Sequence, residues 1–337
     1  MSSKQLPFDE KNYLKGIERK KSGKNFTYYY IKNKKSVTKK DLNRIKKLGI
    51  PPGWIDVWIS ADPKSSIQVT GLDSKDRKQY RYNETHIHDA EQKKFFRLYD
   101  FIKSMPKLEK ILNKHKSNKS YSMERVIVSM LTIVKELHMR VGKECYAKTN
   151  KSYGVSSLRK IHVKIKGDTL YFKFKGKSNK RVSYTLKNKE LKTHIKCLLK
   201  LEGDKLFQYI DQEDVIRRVT DTDLNQYIQK HMGEQFTCKD FRTYASNHYF
   251  IREILNETKK KPPTDDKSIK KNISNAIKKT AFYLRHTAAI SKKSYITEFF
   301  VYIYKDNPEY FVKRKDDETN DVLLDLLKKY KRNVLKK

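Results

Sequence analysis

The chain has 337 residues, and its 37% hydrophobic and 12% aromatic content is sufficient for a folded core, which excludes a disordered polyelectrolyte. Lys and Arg number 77 against 39 Asp and Glu, and the resulting charge of +38 concentrates polyanions at the surface. Nucleic acid is therefore the expected partner and an acidic membrane surface the second choice, although Lys, Asn, Ile and Tyr are abundant throughout and basicity alone indicates no chemistry.

The N-terminal part is predicted to be a small, β-rich domain. A chain of this length is expected to form two domains, and we place the first at residues 1–90. Short strands are predicted at 54–59, 67–70 and 77–82, because these runs contain β-branched and aromatic residues and are separated by turn residues. A helix at 39–48 precedes them.

The second predicted domain, residues 91–337, has helical periodicity. Helices are predicted at 93–103, 107–115 and 122–142, and the last of these has one apolar face and ends at Gly142. Apolar residues then alternate with polar ones from Ile161 to Leu186, with turns at 167–168 and 176–179, which predicts a three-stranded antiparallel β insert. Everything after it is predicted to be helical, so the fold class is α+β with a larger, mainly α second domain.

Several classes of protein are disfavoured by what the sequence lacks. Cys145, Cys197 and Cys238 are far apart and form no C-x-x-C pair, which argues against a zinc site or a disulfide framework and favours a reducing compartment. No apolar leader follows Met1, and the longest apolar run, 299–304, is too short for a membrane span. We find neither a phosphate-binding loop nor a convincing carboxylate cluster. The expectation is a soluble intracellular protein without metal, cofactor or membrane.

One tyrosine of the 22 stands in a distinctive neighbourhood. Tyr295 follows Arg285, His286, Lys292 and Lys293, which would attract a phosphate and favour the phenolate. A free phenol has a pKa of about 10 and is a weak nucleophile unless positive charge surrounds the phosphorus it attacks. Taken alone, a half-buried tyrosine at a helix end is the better interpretation.

Other basic residues are candidates of the same kind. Arg140 is predicted in the last turn of the apolar helix, where a cation at a helix C-terminus is the plain alternative. Arg242 follows a helix start marked by Thr237 and shares a face with Lys239, and its alternative is a surface ion pair. Lys177 lies at a hairpin tip, where a lysine is ordinarily solvated.

The order of these residues resembles the catalytic set of type IB DNA topoisomerases, which tyrosine recombinases share. It runs from an Arg to a hairpin Lys, then Lys-x-x-Arg, His, and a Tyr nine residues later. The segments 50–59 and 68–82 resemble the DNA-clamping domain of the short branch found in poxviruses and bacteria, a signature that recombinases lack. The resemblance covers nearly the whole chain and points to a giant DNA virus as its source.

The resemblance implies a role for each residue. Tyr295 is expected to form a 3′-phosphotyrosyl bond, with Arg140, Arg242 and His286 on the non-bridging phosphate oxygens. Lys177 is expected to protonate the leaving 5′-oxygen, although the long basic hairpin leaves Lys180 or Lys175 as alternatives. Further DNA contacts are expected from Lys239, which is also expected to assist catalysis, and from Gln79, Tyr80, Tyr82, Lys143 and Tyr146.

The expected activity is relaxation of positive and negative supercoils by nicking, rotation and religation of duplex DNA, without ATP or metal. The expected form is a monomer that clamps around the duplex, in the virion and the host-cell cytoplasm if the source is viral. One alternative is a tyrosine recombinase or integrase, which would have a helical N-terminal part and act as a tetramer. The other is a non-catalytic basic DNA-binding protein, which explains the charge but not the order of the residues.

Overall fold

The computed structural model describes residues 13–23, 25–74, 76–314 and 319–334. The chain divides into two compact units, Met1–Lys93 and Lys94–Lys337. The first contains a five-stranded sheet, and the second is mainly helical with a three-stranded sheet, so the predicted α+β class is confirmed. The assignment of a clamp domain to 1–90 and a catalytic domain to 91–337 stays a prediction.

The sheet of the first unit is antiparallel, in the order β2-β1-β3-β4-β5. Three of its strands were predicted, whereas the first two were not individually recognised. In β1 only the first two of seven residues are buried, so that strand lacks the apolar alternation that identifies a strand in sequence. The strands are β1 (Gly16–Ser22), β2 (Asn25–Tyr30), β3 (Ile55–Ser60), β4 (Ile67–Leu72) and β5 (Lys78–Tyr82).

Helix α1 (Lys39–Lys47) packs on this sheet and confirms the predicted helix at 39–48. The Thr38 side chain caps its N-terminus, and Arg44 anchors it by donating to Gln68 Oε1 at 2.8 Å and to the Ser60 carbonyl at 2.7 Å. Burial of apolar surface between helix and sheet supplies the core of the unit. Its fully or nearly buried apolar residues are Ile17, Ile45, Val57, Ile59 and Val69.

Helix α2 (Glu84–His115) replaces the two helices predicted at 93–103 and 107–115. Proline disfavours the interior of a helix because it removes a backbone donor and its ring crowds the carbonyl four residues earlier. The helix nevertheless continues through Pro106. Phe101, Leu108 and Leu112 are buried on either side of the proline, and this packing in one core outweighs the local cost.

Helix α3 (Met123–Leu137) ends earlier than predicted. Ser122 caps its start, as expected, but His138 adopts a left-handed conformation with φ of 50° and turns the chain out of the helix. The sequence predicts the helix end at Gly142 because glycine is common at helix C-termini. The residues between α3 and α4 (Glu144–Asn150) have no regular secondary structure.

The predicted β insert is confirmed as a three-stranded antiparallel meander of β6 (Val163–Lys166), β7 (Thr169–Lys175) and β8 (Arg181–Lys187). Leu170, Phe172 and Phe174 alternate with exposed residues along β7 and enter the core of the second unit. Ile161, predicted to begin the first strand, lies instead in a 3₁₀ turn and is 81% exposed.

The prediction that only helices follow the meander is wrong, because a short hairpin of β9 (Gln208–Ile210) and β10 (Ile216–Arg218) intervenes. Strands of three residues are too short for a periodic pattern. Among the described residues, the remaining α-helices of four or more residues are α5 (Lys189–Leu198), α6 (Asp221–Met232), α7 (Cys238–Lys260), α8 (Asp266–Tyr283), α9 (Glu298–Asp306), α10 (Glu309–Val312) and α11 (Thr319–Val334).

Candidate active site

Arg140 lies in the irregular segment between α3 and α4 and not in a helical turn, so the helix-terminus alternative does not apply to it. Its backbone is held by the neighbouring segment, since the Val155 N–H donates to the Arg140 carbonyl at 2.9 Å. A Cβ on Gly154 would lie 2.5 Å from that same carbonyl oxygen. Only glycine fits at position 154, and Arg140 therefore extends its side chain from a fixed backbone.

Arg242 lies in the second turn of α7, whose predicted start is confirmed by a capping box between Thr237 and Asp240. The side chain is only 4% exposed. Its guanidinium donates to the carbonyl of His138 and, at 2.9 Å, to the carbonyl of Leu284. Both partners are neutral, so the arginine is oriented without having its charge cancelled by a carboxylate.

Tyr295 ends a π-helical turn, Ser291–Tyr295, and is 5% exposed. Such turns are rare, and they occur often at functional sites. The buried side chain of Asn247 fixes the turn from α7, because its amide donates to the Tyr295 carbonyl at 3.1 Å and its oxygen accepts from the Thr297 N–H at 2.9 Å. The direction of the Tyr295 side chain is thus set by α7 as well as by its own turn.

Four of the five predicted catalytic side chains converge. Arg140 Nη1 donates to the Tyr295 hydroxyl at 2.8 Å. The guanidinium carbons of Arg140 and Arg242 lie 5.9 Å and 5.6 Å from the centre of the Tyr295 ring. The His286 ring meets the same ring edge-on, with 5.0 Å between centres. Two arginines and a histidine therefore surround one phenol.

The two arginines change the acidity of that phenol. Burial acts to raise the pKa of Tyr295, but the charges of Arg242 and Arg140 and their hydrogen bonds to the hydroxyl outweigh it, so the pKa is lowered. The same crowding lowers the pKa of Arg242, through burial first and then repulsion from Arg140. The arrangement favours negative charge on the Tyr295 oxygen and on any anion bound beside it.

His286 is neutral at physiological pH. Burial, followed by the charges of Arg242 and Arg140, lowers its pKa to about 4. Both ring nitrogens are buried and lack a hydrogen-bond partner among the described residues, as does Nε of Arg242. A buried polar atom without a partner is costly, so the Arg242 Nε–H and the one N–H of the neutral imidazole are suited to a ligand that supplies acceptors.

Lys177 takes no part in these contacts within the described part of the chain. It is exposed in the loop between β7 and β8, where the Gly176 N–H donates to the Lys180 carbonyl at 2.8 Å. Ser178 and Asn179 have φ of 61° and 60°, so the loop bends through left-handed conformations. Lys175 and Lys180 are exposed as well. The geometry of the loop leaves all three lysines as candidates for the general acid.

The predicted DNA-contacting residues are mostly on the surface. Tyr80 and Tyr82 lie on one face of β5 with their rings stacked, 6.0 Å between centres, and are 40% and 43% exposed. Gln79 is half-buried, and its amide donates to Asp73 at 2.9 Å. In the second unit Tyr146 is 54% exposed, and Lys143 and Lys239 are exposed too, whereas Arg242, one turn from Lys239, is buried.

The described residues contain no group of three or more His, Cys, Asp or Glu residues arranged to hold a metal ion. None of their helices combines the length and apolar character of a membrane span.

Comparison with known proteins places the chain in a family. Residues 77–316 match the model of the eukaryotic DNA topoisomerase I catalytic core, and residues 25–73 match that of the bacterial DNA topoisomerase IB N-terminal domain. The DNA topoisomerase 1B of Acanthamoeba polyphaga mimivirus is 54% identical over 334 residues, 98% of this chain and 99% of the relative. The chain belongs to the type IB DNA topoisomerase family.

Poxvirus members of the type IB topoisomerase family are more distant. The DNA topoisomerase 1B of Vaccinia virus (strain Copenhagen) and the DNA topoisomerase I of Monkeypox virus are each 29% identical over 239 residues, 70% of this chain and 72% of the relative. The resemblance to the poxvirus-like branch is thereby confirmed. The matches favour a topoisomerase over the recombinase and the non-catalytic DNA-binding protein.

Several residues of this topoisomerase site were missed in the sequence. Tyr184 on β8 is buried, and the guanidinium carbon of Arg285 lies 4.5 Å from the centre of its ring. Burial raises the pKa of Tyr184, while Arg242, Arg285 and Arg140 act in the opposite direction, so this phenol lies in the field of the same arginines. The alternation of apolar and polar residues along β8 predicts only that Tyr184 faces the core. Nothing in the sequence marks Asn247 as functional except its position five residues after Arg242.

Proposed function

We propose that this topoisomerase nicks one strand of duplex DNA by attack of the Tyr295 oxygen on a phosphodiester, forming a 3′-phosphotyrosyl link and releasing a 5′-hydroxyl. Rotation of the free end then relaxes supercoils of either sign, and the 5′-oxygen attacks the link to reseal the strand. The observation that carries the proposal is the hydrogen bond from Arg140 to the Tyr295 hydroxyl beside Arg242.

The charges around Tyr295 suit this reaction. In-line attack increases negative charge on the non-bridging oxygens, and two permanently charged guanidiniums can hold those oxygens in place. Arg242 suits this role because its present partners are carbonyls. We assign both arginines to the phosphate oxygens, with Arg140 able to exchange its contact with the phenol for one with the phosphate.

His286 is assigned to the same phosphate as a neutral hydrogen-bond donor. Its pKa of about 4 means that an imidazole rather than an imidazolium faces Tyr295 at neutral pH. A neutral imidazole carries one N–H, which can donate to a non-bridging oxygen. The absence of protein partners for its ring nitrogens among the described residues supports this assignment.

The leaving 5′-oxygen requires a proton, and we assign this role to Lys177. An ammonium on a hairpin loop can reach the leaving atom when DNA binds, and the loop is exposed. Lys180 and Lys175 remain the alternatives. Lys239, exposed one turn before Arg242, is proposed to contact DNA near the same phosphate.

The proposed reaction needs neither ATP nor a metal ion. One phosphodiester is exchanged for another, so the energy of the broken bond is kept in the enzyme–DNA link. Arginines perform the charge stabilisation that a metal performs in many phosphoryl-transfer enzymes.

The proposed partner is duplex DNA, bound by a monomer that clamps around it. The net charge of +38 favours capture of DNA, and binding should weaken steeply with salt as counterions return. Proposed contacts outside the phosphate site come from Gln79, Tyr80, Tyr82, Lys143 and Tyr146. The mimivirus and poxvirus relatives favour a viral enzyme, and we propose that it acts in the virion and the host-cell cytoplasm.

A plasmid relaxation assay tests the proposal. The full chain is expected to relax positively and negatively supercoiled plasmid in EDTA without ATP, and Tyr295→Phe is expected to bind DNA without relaxing it. Tyr302→Phe is the matched control, because Tyr302 is 61% exposed and is not one of the converging residues. Relaxation by Tyr295→Phe, or dependence of the wild-type reaction on ATP or a divalent ion, would refute the mechanism.

A further inference from the structure

A groove of about 670 Å³ lies between α7 and α8, outside the phosphate site. Its wall includes two consecutive aromatic residues at the end of α8, Phe282 and Tyr283, which are 80% and 40% exposed. Single exposed apolar residues are common on protein surfaces, but a phenylalanine this exposed beside a second aromatic in a groove is a feature of binding surfaces.

Tyr283, one of the two residues of the aromatic wall, is held in place by its neighbours. Tyr283 stacks on Tyr249 with 4.7 Å between ring centres and 17° between planes. The guanidinium carbon of Arg252 lies 4.6 Å and 4.7 Å from the centres of these two rings. The Tyr249 hydroxyl is also within 2.9 Å of His138 Nε2. The rings are therefore fixed in one orientation before any ligand arrives, which reduces the entropy lost on binding.

The groove is also cationic. Arg252, Lys260, Lys278 and Lys279 line it against a single acidic residue, Glu253. Glu253 pairs with Arg252 and Lys279, at 3.0 Å and 3.4 Å. Lys260 and Lys278 are exposed and form no salt bridge with a carboxylate in the parts of the chain that the structure describes. Their charge is available to an anion in the groove.

We propose that this groove binds an unpaired stretch of nucleic acid, with one or two bases stacked on Phe282 and Tyr283 and the adjoining phosphates against Lys278 and Lys260. Exposed aromatic faces beside a line of cations are what single strands bind, because every base offers a π face and every linkage a charge. Duplex DNA fits the charges but keeps its bases stacked on one another. An acidic peptide also fits the charges, but its carboxylate side chains do not stack on an exposed aromatic ring as a base does.

The site is distinct from the phosphate pocket but structurally linked to it. Tyr249, which supports Tyr283, contacts His138, and the His138 carbonyl accepts from Arg242. The proposal does not depend on the roles assigned to Tyr295 or Arg140. Its failure would leave the cleavage mechanism untouched.

Photocrosslinking with an oligothymidylate that carries 5-iodouracil tests the proposal on the full chain. With excess duplex DNA present to occupy the catalytic site, we expect the crosslink within residues 280–285, the tryptic peptide that contains Phe282 and Tyr283. Crosslinks confined to other peptides, or their complete loss with duplex, would overturn the proposal. So would competition by an acidic peptide but not by unlabelled oligothymidylate.

Substitution at the groove supplies the second measurement. Phe282→Ala removes an exposed ring without opening the core, and we expect it to weaken oligothymidylate binding by about tenfold, the size of one lost stacking interaction. Tyr302→Ala, which removes another exposed aromatic in the same unit, is the matched control and should bind as wild type. Equal affinity of Phe282→Ala and Tyr302→Ala would contradict the proposal.

Discussion

Arg140 and Tyr295 are 155 residues apart in the chain, yet the guanidinium of one donates to the hydroxyl of the other at 2.8 Å. The contact joins the segment after α3 to the π-helical turn after α8. Arg242 and His286 adjoin the same ring. Most of the proposed catalytic group of this topoisomerase is therefore assembled in the chain without DNA. Lys177 on the hairpin loop is the proposed member that must still move toward the other four.

Removal of the Arg140 side chain should slow strand cleavage by about 10²–10³-fold in Arg140→Ala, because one charge-stabilising donor to the reacting group is lost. Single-turnover cleavage of a labelled duplex measures the effect. Arg217→Ala is the control, since Arg217 is an exposed arginine of the same unit. Cleavage by Arg140→Ala at the rate of Arg217→Ala would remove Arg140 from the mechanism.

The lowered pKa of Tyr295 can be measured without turnover. An ultraviolet titration of wild type minus Tyr295→Phe isolates this phenol from the other tyrosines, and it should ionise below the free-phenol pKa of about 10. Since Arg140 is one cause of the lowering, the same difference made in an Arg140→Gln background should move to higher pH. A midpoint at or above about 10 in the wild type would contradict the electrostatic argument.

The general acid can be identified by changing the leaving group. The Lys177→Ala variant should cleave normal DNA about 10²–10⁴-fold more slowly than the wild type. It should cleave a strand with sulfur at the scissile 5′ position at nearly the wild-type rate, since a thiolate departs without a proton. Lys175→Ala and Lys180→Ala are the matched controls on the same loop. If the sulfur substrate rescues Lys180→Ala or Lys175→Ala instead, the acid is that lysine.

Acid should destabilise the second unit between about pH 6.5 and 4. Burial lowers the pKa of His138 and of His194 to about 4, so the unfolded chain binds more protons than the folded chain in this window. The free energy of unfolding that is linked to these histidines is fully present above their pKa in the unfolded chain. It is lost as the pH falls, by at most about 3 kcal/mol for each histidine.

Chemical denaturation at several pH values measures this loss. His194 is the residue to change, because its Nε2 faces the Ser120 carbonyl at 2.5 Å and its Nδ1 the Ser129 hydroxyl at 2.6 Å, and it lies outside the proposed catalytic group. His194→Gln should lower the free energy of unfolding at pH 7. Below pH 6.5, the free energy of unfolding of this variant should change less with pH than that of the wild type. An unchanged slope in this variant would show that His194 does not titrate as proposed.

The parts of the fold that the sequence predicted are those with clear periodicity. The meander follows from alternation along β7, and the starts of α3 and α7 follow from the cap residues Ser122 and Thr237. Tertiary packing decided the rest. It carries α2 through Pro106, and a left-handed His138 ends α3 where no glycine or proline marks a stop.

The catalytic candidates were found through their order along the chain and its resemblance to a known family, because the sequence evidence for each residue was weak by itself. The residues that hold these candidates in position could not be found in this way. Asn247 acts through two backbone groups of the Tyr295 turn, and Gly154 acts by leaving room for the Arg140 carbonyl. Such contacts depend on how distant segments pack, and no local pattern encodes them.

The most direct test of the central claim is the identity of the residue that becomes linked to DNA. The complex formed on duplex DNA is trapped with denaturant, digested with nuclease and trypsin, and sequenced by mass spectrometry. The account predicts a nucleotide 3′-phosphate on Tyr295 within the peptide 294–305, and none on Tyr302 or Tyr304 of the same peptide. A link to any other residue, or an adduct that persists in Tyr295→Phe, would contradict it.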